Sequence, residues 1–187
     1  GDVIPEVVKI IIEKRDSTSQ PYIIPSTCPS CNGTVTKSED EAIMRCVNLH
    51  CPAQLQGRIK HFVSKNCIDI DGLGEKLVEL LIKQKLISNI SDIFRLTHEQ
   101  LSKLNRMGTK SASNIINSIN KSKQTTMSRF IHALGIRNVG EHLSKILDHT
   151  YNGNINLLIH STYDELIAID EVGDIVANSI INYFQNN

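Results

Sequence analysis

The 187-residue chain contains no run of about 18 apolar residues, so it encodes no transmembrane helix. Its first residues, Gly1-Asp2-Val3-Ile4-Pro5, carry neither a basic n-region nor a long apolar stretch, and no secretory signal is expected. An excess of charge is also missing, with 20 Lys+Arg set against 20 Asp+Glu. Cysteine is scarce and odd in number: five residues, four of them between Cys28 and Cys51. A secreted disulfide framework would spread its cysteines more evenly, so a reducing compartment with metal ligation is the better reading. What remains is ordinary. Apolar residues make up 40% and charged residues 21%, close to globular usage and against wholesale disorder. The length suits one domain of usual size or two small ones.

The neutral total hides a gradient. Residues 1–54 carry 5 basic and 7 acidic side chains, whereas residues 55–150 carry 15 basic and 8 acidic ones. Residues 151–187 contain no Lys or Arg, only the acids Asp164, Glu165, Asp170, Glu171 and Asp174. A basic middle in a neutral chain suggests one face that meets a polyanion; a solvated helical surface is the plainer alternative.

Residues 3–15 are rich in β-branched side chains and interrupted by Pro5, which predicts one or two strands. A lone strand cannot bury its faces, so this piece reads as the remnant of a larger sheet. Residues 16–27 hold two prolines and several turn formers and read as a linker. Past the cysteines, residues 53–66 predict a helix with Leu55, Ile59, Phe62 and Val63 on one side. The remainder is helical in pattern, with capping boxes expected at Thr97/Gln100 and Thr162/Glu165.

An internal repeat organises that remainder. Gly74, Gly108, Gly140 and Gly173 recur at spacings of 32 to 34 residues. Each follows an apolar residue (Leu73, Met107, Val139, Val172), and another stands four before it (Ile70, Leu104, Ile136, Ile169). Seven residues after each glycine comes Leu81, Ile115, Leu147 or Ile180. The pattern predicts a helix ending near the first apolar position, a tight turn on the glycine, and a second helix starting at once. Glycine there implies either a conformation that a Cβ resists or the close approach of another backbone.

Two pairs of cysteines, Cys28-Pro29-Ser30-Cys31 and Cys46 with Cys51, have the spacing of ligands presented from two tight turns. Four thiolates suit tetrahedral Zn²⁺, and Gly33 is expected to let the first knuckle turn its amides toward sulfur. So small and loop-rich a segment would draw its folding free energy from the metal. Two disulfides, or His50 in place of Cys51, are the alternatives. Four protein ligands leave no open position, so the site is structural. Cys67 lies outside the cluster and reads as a small buried thiol rather than a nucleophile.

A turn of this kind aims the free amides and the positive dipole end of its second helix outward, which makes an anion site. The first copy supplies Gly72, Gly74 and Lys76; the second Arg106, Gly108 and Lys110; the third Arg137, Gly140 and His142. The fourth is ringed by Asp170, Glu171 and Asp174 and is expected to pack rather than bind. Simple helix connectors in an all-α repeat are the alternative for all four.

With these motifs and their order, the chain resembles the C-terminal part of bacterial NAD-dependent DNA ligases. Residues 1–5 look like the close of that family's OB fold. Cys28-Pro29-Ser30-Cys31 and Cys46 through Cys51-Pro52-Ala53-Gln54 are similar to its zinc finger. His61-Phe62-Val63-Ser64, Ile68-Asp69-Ile70-Asp71-Gly72-Leu73-Gly74 and Leu134-Gly135-Ile136-Arg137-Asn138-Val139-Gly140-Glu141 are similar to its helix-hairpin-helix domain.

The resemblance implies a mostly α fold: an OB-fold remnant and linker over 1–24, a zinc finger over 25–54, and helix-hairpin-helix repeats over 55–187. The hairpins would lie near 70–76, 104–110, 136–142 and 169–175. It further implies a cytoplasmic parent enzyme that uses NAD⁺ and Mg²⁺, in domains other than these, to seal nicks in double-stranded DNA. Partners would be nicked duplex and the remaining ligase domains, with no membrane. The family's adenylated lysine sits in a K-x-D-G motif, whereas the nearest stretch here, Asp69-Ile70-Asp71-Gly72, lacks the lysine, so no catalytic residue is expected. Arg106, Asn138 and Glu171 stand where a fuller hairpin would carry its first glycine. Rival readings are a non-enzymatic zinc and hairpin module binding DNA or protein, or a piece of another repair enzyme such as an excinuclease subunit. The zinc knuckle and the Ile70–Gly74 stretch favour the ligase.

Overall fold

The computed structural model describes residues 6–37, 43–48 and 51–186; His50 and residues 1–5, on which readings above fall, lie outside them. The chain divides into two compact units, Gly1–Val47 and Asn48–Asn187.

In the first unit, residues 6–26 form no strand. They run as exposed coil with one 3-10 turn at Ile12–Lys14, and Val7, Val8, Ile10 and Ile12 face solvent. The β-branched composition favoured a strand, but no neighbouring edge accepts its hydrogen bonds among the described residues, and an unpaired strand has little to hold it. The one sheet lies further on, where β1 (Val35–Thr36) pairs antiparallel with β2 (Arg45–Cys46) in the register Val35 to Cys46.

The second unit is helical: α1 (Pro52–Phe62), α2 (Glu75–Lys83), α3 (His98–Ser102), α4 (Thr109–Ser122), α5 (Met127–Leu134), α6 (Glu141–Thr150), α7 (Ile155–Ile159), α8 (Tyr163–Ile167) and α9 (Asp174–Asn186). The expected boundary between residues 54 and 55 falls inside α1. No described helix is long and apolar enough to cross a membrane. Both expected capping boxes form, and a third at Asn89/Asp92 starts a 3-10 turn over Ile90–Arg95.

All four repeats close with the same hydrogen bond. The amide just before each glycine donates to the carbonyl three residues earlier: Leu73 to Ile70, Met107 to Leu104, Val139 to Ile136 and Val172 to Ile169. The glycine carbonyl then accepts the first helical bond, from Val78, Ala112, Ser144 or Ala177. Those four small or β-branched residues are fully buried, and so are Leu81, Ile115, Leu147 and Ile180 one turn on. Each of these larger side chains contributes about 2 kcal/mol by leaving water. Two cores result: one under the first two hairpins together with α1, the other under the last two.

The glycines do not occupy the strained position. Gly74, Gly108 and Gly140 have φ of −71°, −80° and −85°, open to any residue. The left-handed residue stands two earlier, at Gly72, Arg106, Asn138 and Glu171, with φ between 61° and 89°. The first explanation of the recurring glycine therefore fails. A Cβ built at any of the four corners meets nothing within 4 Å, so no other part of the chain approaches the glycines and the space in front of them is open.

Gly72 alone is constrained twice: its φ is +89°, and a Cβ there would come 2.7 Å from Ile115 Cγ1 in the buried core. Gly72→Ala is expected to destabilise the fold by about 1–3 kcal/mol in urea unfolding. Gly108→Ala, which loses only a favourable cap residue, is expected to cost about 1 kcal/mol or less. Equal losses at the two sites would contradict this assignment of strain.

Candidate nucleic-acid interface and metal centre

The first knuckle is built by backbone hydrogen bonds. Asn32 donates its amide to the Cys28 carbonyl and Cys28 donates to the Gly33 carbonyl, each at 2.8 Å. The left-handed residue that turns the chain is Asn32, φ 54°, rather than Gly33. Asn tolerates that conformation because its short polar side chain bonds locally. Gly33 instead donates its amide toward Cys31 Sγ at 3.4 Å, as expected of a thiolate held by peptide dipoles. Cys31 and Cys46 bring their sulfurs to 3.5 Å, and all five cysteines are free of disulfides. The free thiols speak for ligation and against the two-disulfide alternative.

The Sγ atoms of Cys28, Cys31, Cys46 and Cys51 lie within 4.8 Å of one another. Tetrahedral Zn²⁺ with bonds of about 2.3 Å requires sulfur separations of about 3.8 Å, so small adjustments suffice. Four soft donors and no open position fit a structural zinc ion.

The hairpin corners form the second candidate site. Gly74, Gly108 and Gly140 are the N-caps of α2, α4 and α6, and none of these helices has a side-chain cap. Their leading amides have no helical acceptor and no side-chain substitute. The corner glycines are exposed, as are Gly72, Lys76, Arg106, Lys110, Arg137 and His142. Among the described residues the side chains of Lys76, Arg106 and Lys110 form no hydrogen bond or ion pair.

Electrostatics separates the four copies. The second has no acid in the first turn of its helix and carries Thr109 and Lys110 there. Copies one and three place Glu75 and Glu141 in that turn, each held by a lysine: Lys60 at 2.7 Å and Lys145 at 2.8 Å. The bond and charge of Lys145 keep the Glu141 carboxyl below its ordinary range. The fourth copy opens on Asp174, to which Tyr163 Oη donates, and Glu171 takes His142 Nε2 of the third copy at 2.9 Å. His142 is thus engaged within the protein, a pairing across 29 residues that local sequence could not disclose. Cys67 is fully buried, and that burial pushes its thiol above the ordinary value, against smaller opposing pulls from Ser64 and Arg129. A protonated, buried sulfur is no nucleophile.

Three family profiles match the chain. Residues 27–53 match the NAD-dependent DNA ligase C4 zinc finger domain, 65–121 the SAM-like helix-hairpin-helix tandem, and 129–187 the helix-hairpin-helix motif. Proteins named DNA ligase from Geobacter sulfurreducens and Syntrophus aciditrophicus are 48% and 47% identical to it over 186 residues. The DNA ligase of Lysinibacillus sphaericus is 45% identical over 187 residues. Each alignment covers 100% of this chain and 28% of the relative, so the chain spans just over a quarter of their length.

Cys28→Ser is expected to lose stoichiometric zinc and the fold of the knuckle at residues 27–36 while far-UV circular dichroism of the helices persists. Zinc retained at one equivalent in that variant would contradict the ligand set. With a ligase zinc finger and tandem hairpins in that order, the chain belongs to the NAD-dependent DNA ligase family.

Proposed function

We propose that this chain is the duplex-gripping part of an NAD-dependent ligase that seals single-strand nicks during replication and repair. The observation that carries the reading is the set of three exposed corners whose uncapped helix amides stand beside exposed cations. Phosphate oxygens accept from such amides, favour the positive end of the helix dipole, and are drawn further by Lys76, Arg106, Lys110 and Arg137. Glycine at the corner leaves room for the sugar–phosphate backbone where a side chain would intervene.

Contacts of this kind fix position on a duplex without reading sequence, which suits an enzyme that must act at any nick. The second corner is the strongest on charge. The first and third bind more weakly because each retains a neutralised glutamate. The fourth, with Asp170, Glu171 and Asp174, repels phosphate and serves packing. Zinc holds the finger folded and takes no part in the reaction.

The chain contains no Lys-x-Asp-Gly, so adenylation by NAD⁺ and the Mg²⁺-dependent joining steps belong to other parts of such an enzyme. The remaining ligase domains are then its partners, and this segment alone is inactive.

Binding by phosphate neutralisation must weaken steeply with salt. Titration of nicked and intact duplex at several salt concentrations is expected to give a steep negative slope of log K against log salt. Lys110→Ala should reduce that slope by about one. Affinity independent of salt, or an unchanged slope in the variant, would overturn the phosphate grip.

A further inference from the structure

A second group of soft ligands lies in the helical unit, apart from the four cysteines. One ring nitrogen each from His61 and His132 and the Sγ of Cys67 lie within 4.8 Å of one another. His61 sits near the end of α1, Cys67 in the following loop, and His132 on α5, so the three come from separate segments.

The hydrogen bonding around them favours metal. His61 Nε2 donates to the His132 carbonyl oxygen at 2.7 Å, which fixes the tautomer and leaves the Nδ1 lone pair free. That nitrogen is 4.0 Å from Cys67 Sγ, and Nε2 is 3.7 Å from it. Metal-ligating histidines show this arrangement, with one nitrogen on the ion and the other donating to a backbone carbonyl. His132 Nδ1 is buried without a hydrogen-bond partner, alone in this respect among the described residues. A buried ring nitrogen left unpaired in this way is costly unless something binds it.

The group is also preorganised. Arg129, one turn before His132 on α5, donates Nε to the Cys67 carbonyl at 2.8 Å and Nη2 to the Lys65 carbonyl at 2.7 Å. The loop that carries the thiol is thereby fastened to the helix that carries the second imidazole. The two rings meet edge to face with centroids 5.0 Å apart. Open clefts of about 660 and 340 Å³ flank the group, lined in part by His61 and by His132 respectively.

We propose that His61, Cys67 and His132 form a second, three-ligand site for a zinc-class divalent cation. Two imidazoles and one thiolate suit Zn²⁺ or Co²⁺ and disfavour Mg²⁺ or Ca²⁺, which take oxygen. The thiol proton leaves to solvent as the ion binds, and water fills the fourth position. The ion would tie α1, under the first two hairpins, to α5, which opens the third. With one thiolate against four, its affinity falls below that of the finger. The proposal stands independently of DNA binding.

The test is Co²⁺ and Zn²⁺ titration of the metal-free chain, with stoichiometry read by mass spectrometry of the equilibrated metal and by cobalt absorption. The wild type is expected to take two equivalents. The first should have the spectrum of four thiolates; the second a distinct spectrum, with a raised thermal midpoint. Cys67→Ala and His132→Gln should each bind one equivalent and gain nothing from excess metal, with helix content retained in circular dichroism. Saturation of the wild type at one equivalent, or two equivalents retained in Cys67→Ala, would overturn the site.

Discussion

Each corner depends on a turn closed by one backbone hydrogen bond, from the amide just before the glycine to the carbonyl three residues earlier. That bond stops one helix and starts the next within a few residues. With the turn closed, the glycine carbonyl is committed to the new helix and its leading amides are left facing outward. Their exposure at α2, α4 and α6 is a consequence of the fold, since a helix always begins with donors its own backbone cannot satisfy. The buried residues four and seven positions later hold the corner against the core. What differs among the four copies is the charge placed around this common frame.

Much of that frame was legible in the sequence. Apolar residues at fixed offsets from each glycine mark the buried side of the turn and of the second helix, and Leu81, Ile115, Leu147 and Ile180 are buried as the period requires. The capping boxes at Thr97 and Thr162 rest on contacts three residues apart, which local sequence displays. The cysteine spacing is local in the same sense.

Other features were hidden for physical reasons. The left-handed residue of the hairpin is a glycine only in the first copy; at Arg106 and Glu171 the turn imposes a conformation costing about 1–2 kcal/mol, and Asn138 tolerates it better. One of the two explanations for the recurrent glycine, a conformation that a Cβ resists, therefore applies two residues earlier instead. The β-branched stretch before residue 15 carried strand propensity, but propensity is realised only beside another strand. The His142–Glu171 pair and the His61–His132 contact join residues 29 and 71 positions apart. Such pairings depend on how the hairpins pack and leave no local pattern.

The central claim is that helix-leading amides at the first three corners donate to phosphate oxygens. It is tested most directly by following backbone amide resonances of the isotopically labelled chain as duplex DNA is added. The largest shifts are expected at residues 75–77, 109–111 and 141–143, greatest at the second set, with residues 174–176 unmoved. Shifts centred on the fourth corner, or spread over surfaces away from all the corners, would contradict the account.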